Sequence, residues 1–266
     1  MGSAPLVFAA VYSRTIRATV ERIFENVLDW EHLPWLHRDS FSQVDLIESS
    51  SGGWRARVRG QPARAAQDAE IEVVLDPSSL CYVTRTLSGP GVGTEVWTRL
   101  EPIDEGRTRI RVEFCVPKLE ARAANRLGRA MVGLYAKLWD EDEEMMVRRS
   151  RLLSRPRRRT GRSAPVPLGP ESGLRERLPL EVEFGHETFR VVAVEREFHA
   201  YPVACPHRGG PLDQARDAAG ELVCPWHGYR FDLRSGKSAD GRGLCFPMRP
   251  RVRVNPETGM AFLESG

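Results

Sequence analysis

The sequence predicts an α+β protein of two domains joined by a basic, proline-rich segment. Three observations carry that reading. Residues 1–153 alternate as strand, helix, several strands and one long helix, and residues 154–170 are rich in arginine and proline. Residues 171–266 hold two short Cys/His boxes, Cys205-Pro-His207 and Cys224-Pro-Trp-His227, sixteen residues apart. A length of 266 residues suits two domains, each large enough for its own core. With 41% hydrophobic and 28% charged residues, the composition is that of ordinary soluble globular proteins.

Leu6–Arg14 reads as a first strand. Its apolar stretch, Leu6–Tyr12, is far too short to cross a membrane or to form a signal-peptide core. Thr19 suits a helix N-cap, and Ile23, Phe24, Val27 and Leu28 follow at helical spacing. After Pro34 the pattern turns to strands, at Phe41–Glu48, Trp54–Arg59, Glu70–Leu75, Leu80–Leu87, Thr94–Glu101 and Thr108–Val116. The last alternates most clearly, with Ile110, Val112 and Phe114 set against Arg109, Arg111 and Glu113. Gly89-Pro-Gly-Val-Gly93, between two of these strands, reads as a hairpin loop; it has neither the last glycine of G-x-G-x-x-G, where Thr94 stands, nor the helix of a dinucleotide site.

A long helix is expected over about Leu119–Leu153. At roughly 100° per residue, Leu127, Met131, Leu134, Leu138 and Met145 fall on one stripe. Asp142 shares the stripe, Asp140 points away from it, and Glu141 and Glu143 flank or avoid it. A carboxylate facing a core is costly unless paired or bound to metal. Asp142 is therefore a candidate metal ligand, with Glu141 in reserve.

The chain carries a formal net charge of +3, yet eight arginines between Arg148 and Arg162 stand without an intervening acid, and removing them leaves −5. This basic run leads into Ser163-Ala-Pro-Val-Pro-Leu-Gly-Pro170, which has linker composition. No aromatic interleaving or recognition motif accompanies it, so a solvated hinge is expected rather than a nucleic-acid site. An acidic redox partner docking on it is the other reading. Cys81, Cys115 and Cys245 are an odd remainder outside the boxes, expected as buried small hydrophobes in a reducing cytoplasm.

Two thiolates and two imidazoles suit either a lone zinc or a Rieske [2Fe–2S] centre, which takes two Cys on one iron and two His on the other. Gly209, Gly210 and Gly228 follow the histidines, where the backbone must wrap tightly and aim N–H groups at sulfur. The segments Cys-Pro-His-Arg-Gly-Gly-Pro-Leu and Cys-Pro-Trp-His-Gly-Tyr-Arg-Phe-Asp closely resemble the Rieske family. The resemblance implies a small all-β domain in which Cys205, His207, Cys224 and His227 hold the cluster. High-potential members carry a further Cys in each loop, where this chain has Gly210 and Trp226. Their sulfur-bonding Ser and Tyr match Tyr229 and Phe231, so fewer donors reach sulfur and the potential should lie toward ~−150 mV.

The order of elements in residues 1–153 resembles the helix-grip fold of the START and polyketide-cyclase superfamily, whose sheet wraps its final helix around an apolar pocket. Asp29-x2-His32-x4-His37 resembles the mononuclear-iron motif of Rieske non-heme iron oxygenases, whose catalytic domain has that fold. The resemblance implies His32 and His37 as iron ligands and Asp29 as the carboxylate bridging the two metal sites. Trp139-Asp140-Glu141-Asp142 resembles the acidic segment that supplies the family's third ligand. A five-residue step turns about 140° on a regular helix, so His32 and His37 could converge only if Pro34 breaks it. Trp30, Trp35, Phe41, Trp54 and Trp97 are candidate pocket residues. His186 and His199 are expected at the surface.

Together these features imply an oxygenase component with a [2Fe–2S] cluster and an Fe(II) ion, acting on O₂ and an apolar small molecule of aromatic or polycyclic type. An external reductase or ferredoxin would supply electrons, since no flavin or nicotinamide fingerprint is present. The family implies a homotrimer, although this chain places its Rieske domain second where the family places it first. Two other readings stay open: a Rieske electron carrier fused to a metal-free lipid- or polyketide-binding domain, and a zinc-stabilised binding protein.

Overall fold

The computed structural model describes residues 5–61, 68–155, 163–212 and 221–266. It divides into two compact units, Met1–Arg151 and Leu152–Gly266. Among the described residues no helix is long and apolar enough to cross a membrane.

The first unit is one antiparallel sheet with a long helix. Its strands are β1 (Leu6–Ile16), β2 (Phe41–Ser50), β3 (Gly53–Gly60), β4 (Ala69–Asp76), β5 (Cys81–Ser88), β6 (Glu95–Asp104) and β7 (Arg107–Pro117). They pair in the order β1-β7-β6-β5-β4-β3-β2, so the first two strands of the chain form opposite edges. Between them run α1 (Val20–Leu28), a 3₁₀ turn (Trp30–His32) and the single turn α2 (Leu33–Leu36). The Thr19 hydroxyl caps α1 by accepting from the Arg22 N–H at 3.2 Å. The inner sheet face buries Trp54, Ala56, Val73, Val96, Val112 and Phe114, every second residue of their strands, as a half-buried sheet requires.

The long helix α3 spans Ala121–Leu153. Its buried residues are Ala124, Gly128, Trp139, Glu143, Met145 and Met146, and Met131 packs against the same core. Met145 and Met131 belong to the expected stripe, whereas Leu127 is 39% exposed, so the core-facing side is wider than expected and extends toward Trp139. By helical phase Asp142 lies within it. Glu143, expected to avoid the core, is buried; it accepts from the Arg17 N–H and Nε at 2.9 Å and also pairs with Arg14. At Gly128 a Cβ would sit 2.6 Å from the Ala9 carbonyl oxygen, so glycine sets how closely α3 approaches β1.

The second unit is built on small sheets: β8 (Val166–Pro170), β9 (Leu180–Phe184), β10 (Glu187–Val194), β11 (Glu197–Pro202), β12 (Leu222–Val223), β13 (Arg230–Phe231), β14 (Arg251–Val254) and β15 (Met260–Glu264). They pair as β11-β10-β9, β12-β13 and β14-β15-β8. Leu168, Phe184, Phe189, Val191, Ala261 and Leu263 make its core. A single helical turn, α4 (Glu171–Leu174), and a 3₁₀ turn (Arg175–Arg177) interrupt the expected all-β character.

The linker expected over 154–170 is shorter at its far end, because Val166–Pro170 is β8, paired with β15. Its prolines are tolerated because β8 is an edge strand, where a missing N–H donor leaves no ladder bond unmade. Residues 156–162 of the basic run lie outside the described residues. Arg149 belongs to α3 rather than to a solvated hinge, 3.4 Å from Glu25. Cys81 is buried as expected and Cys115 half-buried, but Cys245 is exposed. His186 is exposed. His199 is half-buried rather than fully at the surface, and burial lowers its pKa.

Candidate metal centres

The first centre forms where the chain leaves α1. Asp29 ends that helix with φ −88° and ψ 68°, and its N–H bonds back to the Asn26 carbonyl at 3.0 Å. The 3₁₀ turn and α2 follow, with Pro34 in the first turn of α2, where the absent N–H has no partner to lose. This double break overturns the regular-helix phase that would separate the histidines. His32 and His37, both buried, meet edge to face with ring centroids 5.0 Å apart.

Asp142 reaches them from α3. Its Oδ1 lies 3.4 Å from His32 Nε2 and 3.2 Å from His37 Nε2. One ligand atom from each of the three residues falls within 4.8 Å of the others. Metal–ligand bonds of roughly 2.0–2.2 Å put neighbouring donor atoms about 3.0–3.4 Å apart, so the residues present fit one ion. Two imidazoles and one carboxylate with the remaining positions open are the facial arrangement used by non-heme Fe(II).

Two neighbours hold this set in supporting roles that the sequence did not show. His37 Nδ1 lies 2.6 Å from Glu141 Oε2, a contact that orients the ring and leaves Nε2 toward Asp142. Glu141, held in reserve as a ligand, is therefore the partner of one. Asn26 Nδ2 donates to Asp142 Oδ1 at 3.2 Å. Burial alone would lower the pKa of His37, but the charges and hydrogen bonds of Asp142 and Glu141 outweigh it and raise it. Burial pushes Asp142 up, and the His37 charge with hydrogen bonds from both histidines holds it well below the usual carboxylate range. Asp29 is buried but does not line the cavity beside the site.

That cavity has a volume of about 120 Å³. Trp30, Phe41 and Trp54 line it as expected, together with Tyr82, Tyr135 and Trp139. Two expected residues are elsewhere. Trp35 is 42% exposed, and the Trp97 ring has the Arg85 and Arg99 guanidiniums 6.0 and 5.9 Å from its centroid, with its Nε1 donating to Glu95 at 2.9 Å. A strand residue's face is fixed by parity, and Trp97 has the parity of the outer face.

The second centre is built from two loops with one hydrogen-bond pattern. The Cys205 N–H donates to the Gly210 carbonyl and the Gly209 N–H to the Cys205 carbonyl, each at 2.8 Å. The Cys224 N–H donates to Tyr229 and the Gly228 N–H to Cys224, again at 2.8 Å. Gly209 and Gly228 take positive φ, +82° and +67°, which their tight wraps require. Their N–H groups meet carbonyls rather than sulfur, contrary to expectation. Sulfur is met instead by the N–H groups of His207 and Arg208 on Cys205, and of Trp226 and His227 on Cys224.

A Cβ on Gly210 would lie 2.5 Å from Cys224 Sγ, so the sulfur occupies the space a side chain would need. The hydrogen bond between the two thiols raises one pKa and lowers the other, so that the pair shares a proton between its sulfurs. The His207 and His227 rings sit 4.5 Å apart, edge to face. His227 is buried and His207 half-buried, with the Tyr229 ring stacked on His207 at 4.3 Å. Paired sulfurs cradled by amides, facing paired imidazoles, fit a [2Fe–2S] cluster with two Cys and two His ligands.

Residues 164–247 match the Rieske [2Fe-2S] domain family. The second unit holds a Rieske domain. Over 77 residues the chain is 36% identical to apoptosis-inducing factor 3 of Homo sapiens, an alignment covering 29% of this chain and 13% of that protein. Over 78 residues it is 36% identical to the 4beta-methylsterol monooxygenase of Methylococcus capsulatus, covering 26% of this chain and 21% of that protein. The chain thus spans about an eighth to a fifth of the length of these relatives. Among solved structures, the Zhui aromatase/cyclase of Streptomyces sp. R1128 matches at 18% identity and a TM-score of 0.47, covering 56% of this chain and 99% of that one. Norcoclaurine synthase of Thalictrum flavum matches at 16% identity and a TM-score of 0.43, covering 55% and 88%. The fold class is α+β, with a helix-grip-like first unit and the Rieske domain after it.

Proposed function

We propose that this chain is the oxygenase component of a Rieske-type system. The observation that carries the reading is the convergence of His32, His37 and Asp142 at the head of a buried aromatic cavity, in a chain that also holds a Rieske domain. A ferrous ion at His32, His37 and Asp142 would supply O₂ activation, and the [2Fe–2S] cluster would supply electrons one at a time. The chain's residues do the rest. Glu141 accepts from His37 Nδ1 and fixes the tautomer that leaves Nε2 free to ligate. Asn26 donates to Asp142 and fixes which oxygen faces the histidines. The aromatic walls would bind an apolar small molecule beside the site. Asp29 is proposed to link cluster and iron, and an external reductase or ferredoxin to reduce the cluster.

An iron and labile-sulfide count on the purified full chain tests the reading. Three iron and two sulfide per chain are expected, falling to two and two in a His32→Ala/His37→Ala variant. Two iron and two sulfide in the unaltered protein would overturn it in favour of an electron carrier.

A further inference from the structure

His32 and His37 converge because α1 stops at Leu28, and no helix breaker in the sequence marks that stop. No proline or glycine stands between Thr19 and Leu33, and Pro34 lies beyond the break, in the first turn of α2. Had α1 run on, the two histidines would stand about 140° apart around its axis. Its next turn would also draw the Glu31 N–H to the Val27 carbonyl, four residues back. That carbonyl is engaged from outside the helix: Trp54 Nε1 on β3 donates to it at 2.7 Å.

The donor is fixed by the sheet. Trp54 is buried, where an unpaired N–H is costly, and its bond is at the short end for N–H···O. In the ladder it stands between Ser49 of β2 and Val73 of β4. Gly53 beside it has φ +144°, and a Cβ there would lie 1.9 Å from the Val73 carbonyl oxygen, so the start of β3 is pressed against β4. From the Val27 carbonyl onward the chain tightens. The Asp29 N–H bonds to the Asn26 carbonyl at 3.0 Å and the His32 N–H to the Asp29 carbonyl at 3.4 Å, each three residues back. This tightening takes His32 out of the phase of α1 and brings its Nε2 to Asp142.

We propose that Trp54 is a positioning residue for the first centre: its indole N–H fixes the end of α1 and so turns His32 toward His37 and Asp142. The proposal rests on the reading of these three residues as ligands of one ion. Trp54→Phe keeps an aromatic ring in the core and removes the donor. Iron affinity of the purified full chain is read by competition with a chelator of known affinity, and ligand geometry by the EPR signal of nitric oxide bound at the ferrous centre. Trp54→Phe should weaken iron binding roughly three- to tenfold, the range of one hydrogen bond, and alter the rhombicity of that signal. Trp97→Phe loses an indole hydrogen bond of 2.9 Å to Glu95 on the outer face of the same sheet, and should leave both unchanged.

On the unaltered protein the coupling runs in reverse, since linkage is reciprocal. Zinc, a diamagnetic stand-in for the ion, should slow solvent exchange of the Trp54 indole N–H by roughly the same three- to tenfold and leave that of Trp97 as it was. Unchanged iron affinity in Trp54→Phe, with or without a lower melting temperature, would overturn the proposal and leave Trp54 a core residue. Equal losses in Trp54→Phe and Trp97→Phe would overturn it as general destabilisation. Unchanged Trp54 exchange on adding zinc would overturn it even where Trp54→Phe fails to fold. Two iron per chain in the unaltered protein would remove the iron reading and this proposal together, whereas three iron with an indifferent Trp54→Phe removes the proposal alone.

Discussion

Replacing Glu141 tests whether the first centre is a metal site held by design or a chance meeting of polar groups. The contact with His37 Nδ1 is 2.6 Å long, within the range of charge-assisted hydrogen bonds, and it engages a ring that is 1% exposed. Such a bond contributes about 1.5–3 kcal/mol, which corresponds to roughly 10- to 150-fold in an equilibrium constant. Loss of the partner of a metal-ligating histidine typically weakens metal binding 10–100-fold, in agreement. Gln at position 141 still offers a neutral acceptor, whereas Leu offers none. Glu141→Gln should therefore weaken iron binding about tenfold and Glu141→Leu about a hundredfold, read by competition with a chelator of known affinity. Labile sulfide should stay at two per chain in both variants, since the cluster ligands are untouched. Wild-type iron affinity in Glu141→Leu would refute the reasoning, because His37 would then need no orienting partner.

Three further outcomes follow from the geometry. Gly210→Ala puts a methyl 2.5 Å from Cys224 Sγ, so cluster occupancy should fall, measured as labile sulfide and visible absorbance per chain. Arg242 lies 4.0 Å from the centroid of the Tyr229 ring, which also stacks on His207. A cation there favours the reduced, more negative cluster, so Arg242→Gln should move the reduction potential negative in a dye-coupled titration while Arg242→Lys keeps most of it. Gly128→Ala drives a methyl to 2.6 Å from the Ala9 carbonyl, an overpacking that should cost about 1–3 kcal/mol and lower the melting temperature of the first unit.

Much of this architecture was legible in the sequence because its signals are local. Alternation located all seven strands of the first sheet, and the spacing of the Cys/His boxes identified the second centre. Asp142 was legible for a subtler reason. Helical phase is tolerant, and the core-facing side of α3 is wide enough to include it together with Met145 and Trp139. The meeting of His32 and His37 was legible only as a motif, since it depends on a chain break after Leu28 that no periodicity reports. Glu141 and Asn26 were missed as supporting residues because their partners lie 104 and 116 positions away along the chain. β8 was hidden by its prolines, which read as linker until the pairing with β15 is known. The misassigned Trp35 and Trp97 are the ordinary cost of ranking residues by type, because the pocket admits side chains by the face they occupy.

The sheet order has a thermodynamic consequence. Because β1 and β2 are opposite edges, the segment carrying His32 and His37 crosses from one side of the sheet to the other, and side-chain contacts from both histidines tie it to α3. An ion held there would act as a rivet between that crossing and the helix, closing a loop of more than a hundred residues. Occupancy would then be felt as rigidity as well as affinity. Amides of residues 29–40 should exchange with solvent faster in the metal-free protein, with protection rising by RT ln(1 + [metal]/Kd) as the ion is added. The same opening would let the ion in, so the exchange rate of this crossing sets an upper limit on how fast the centre can be loaded.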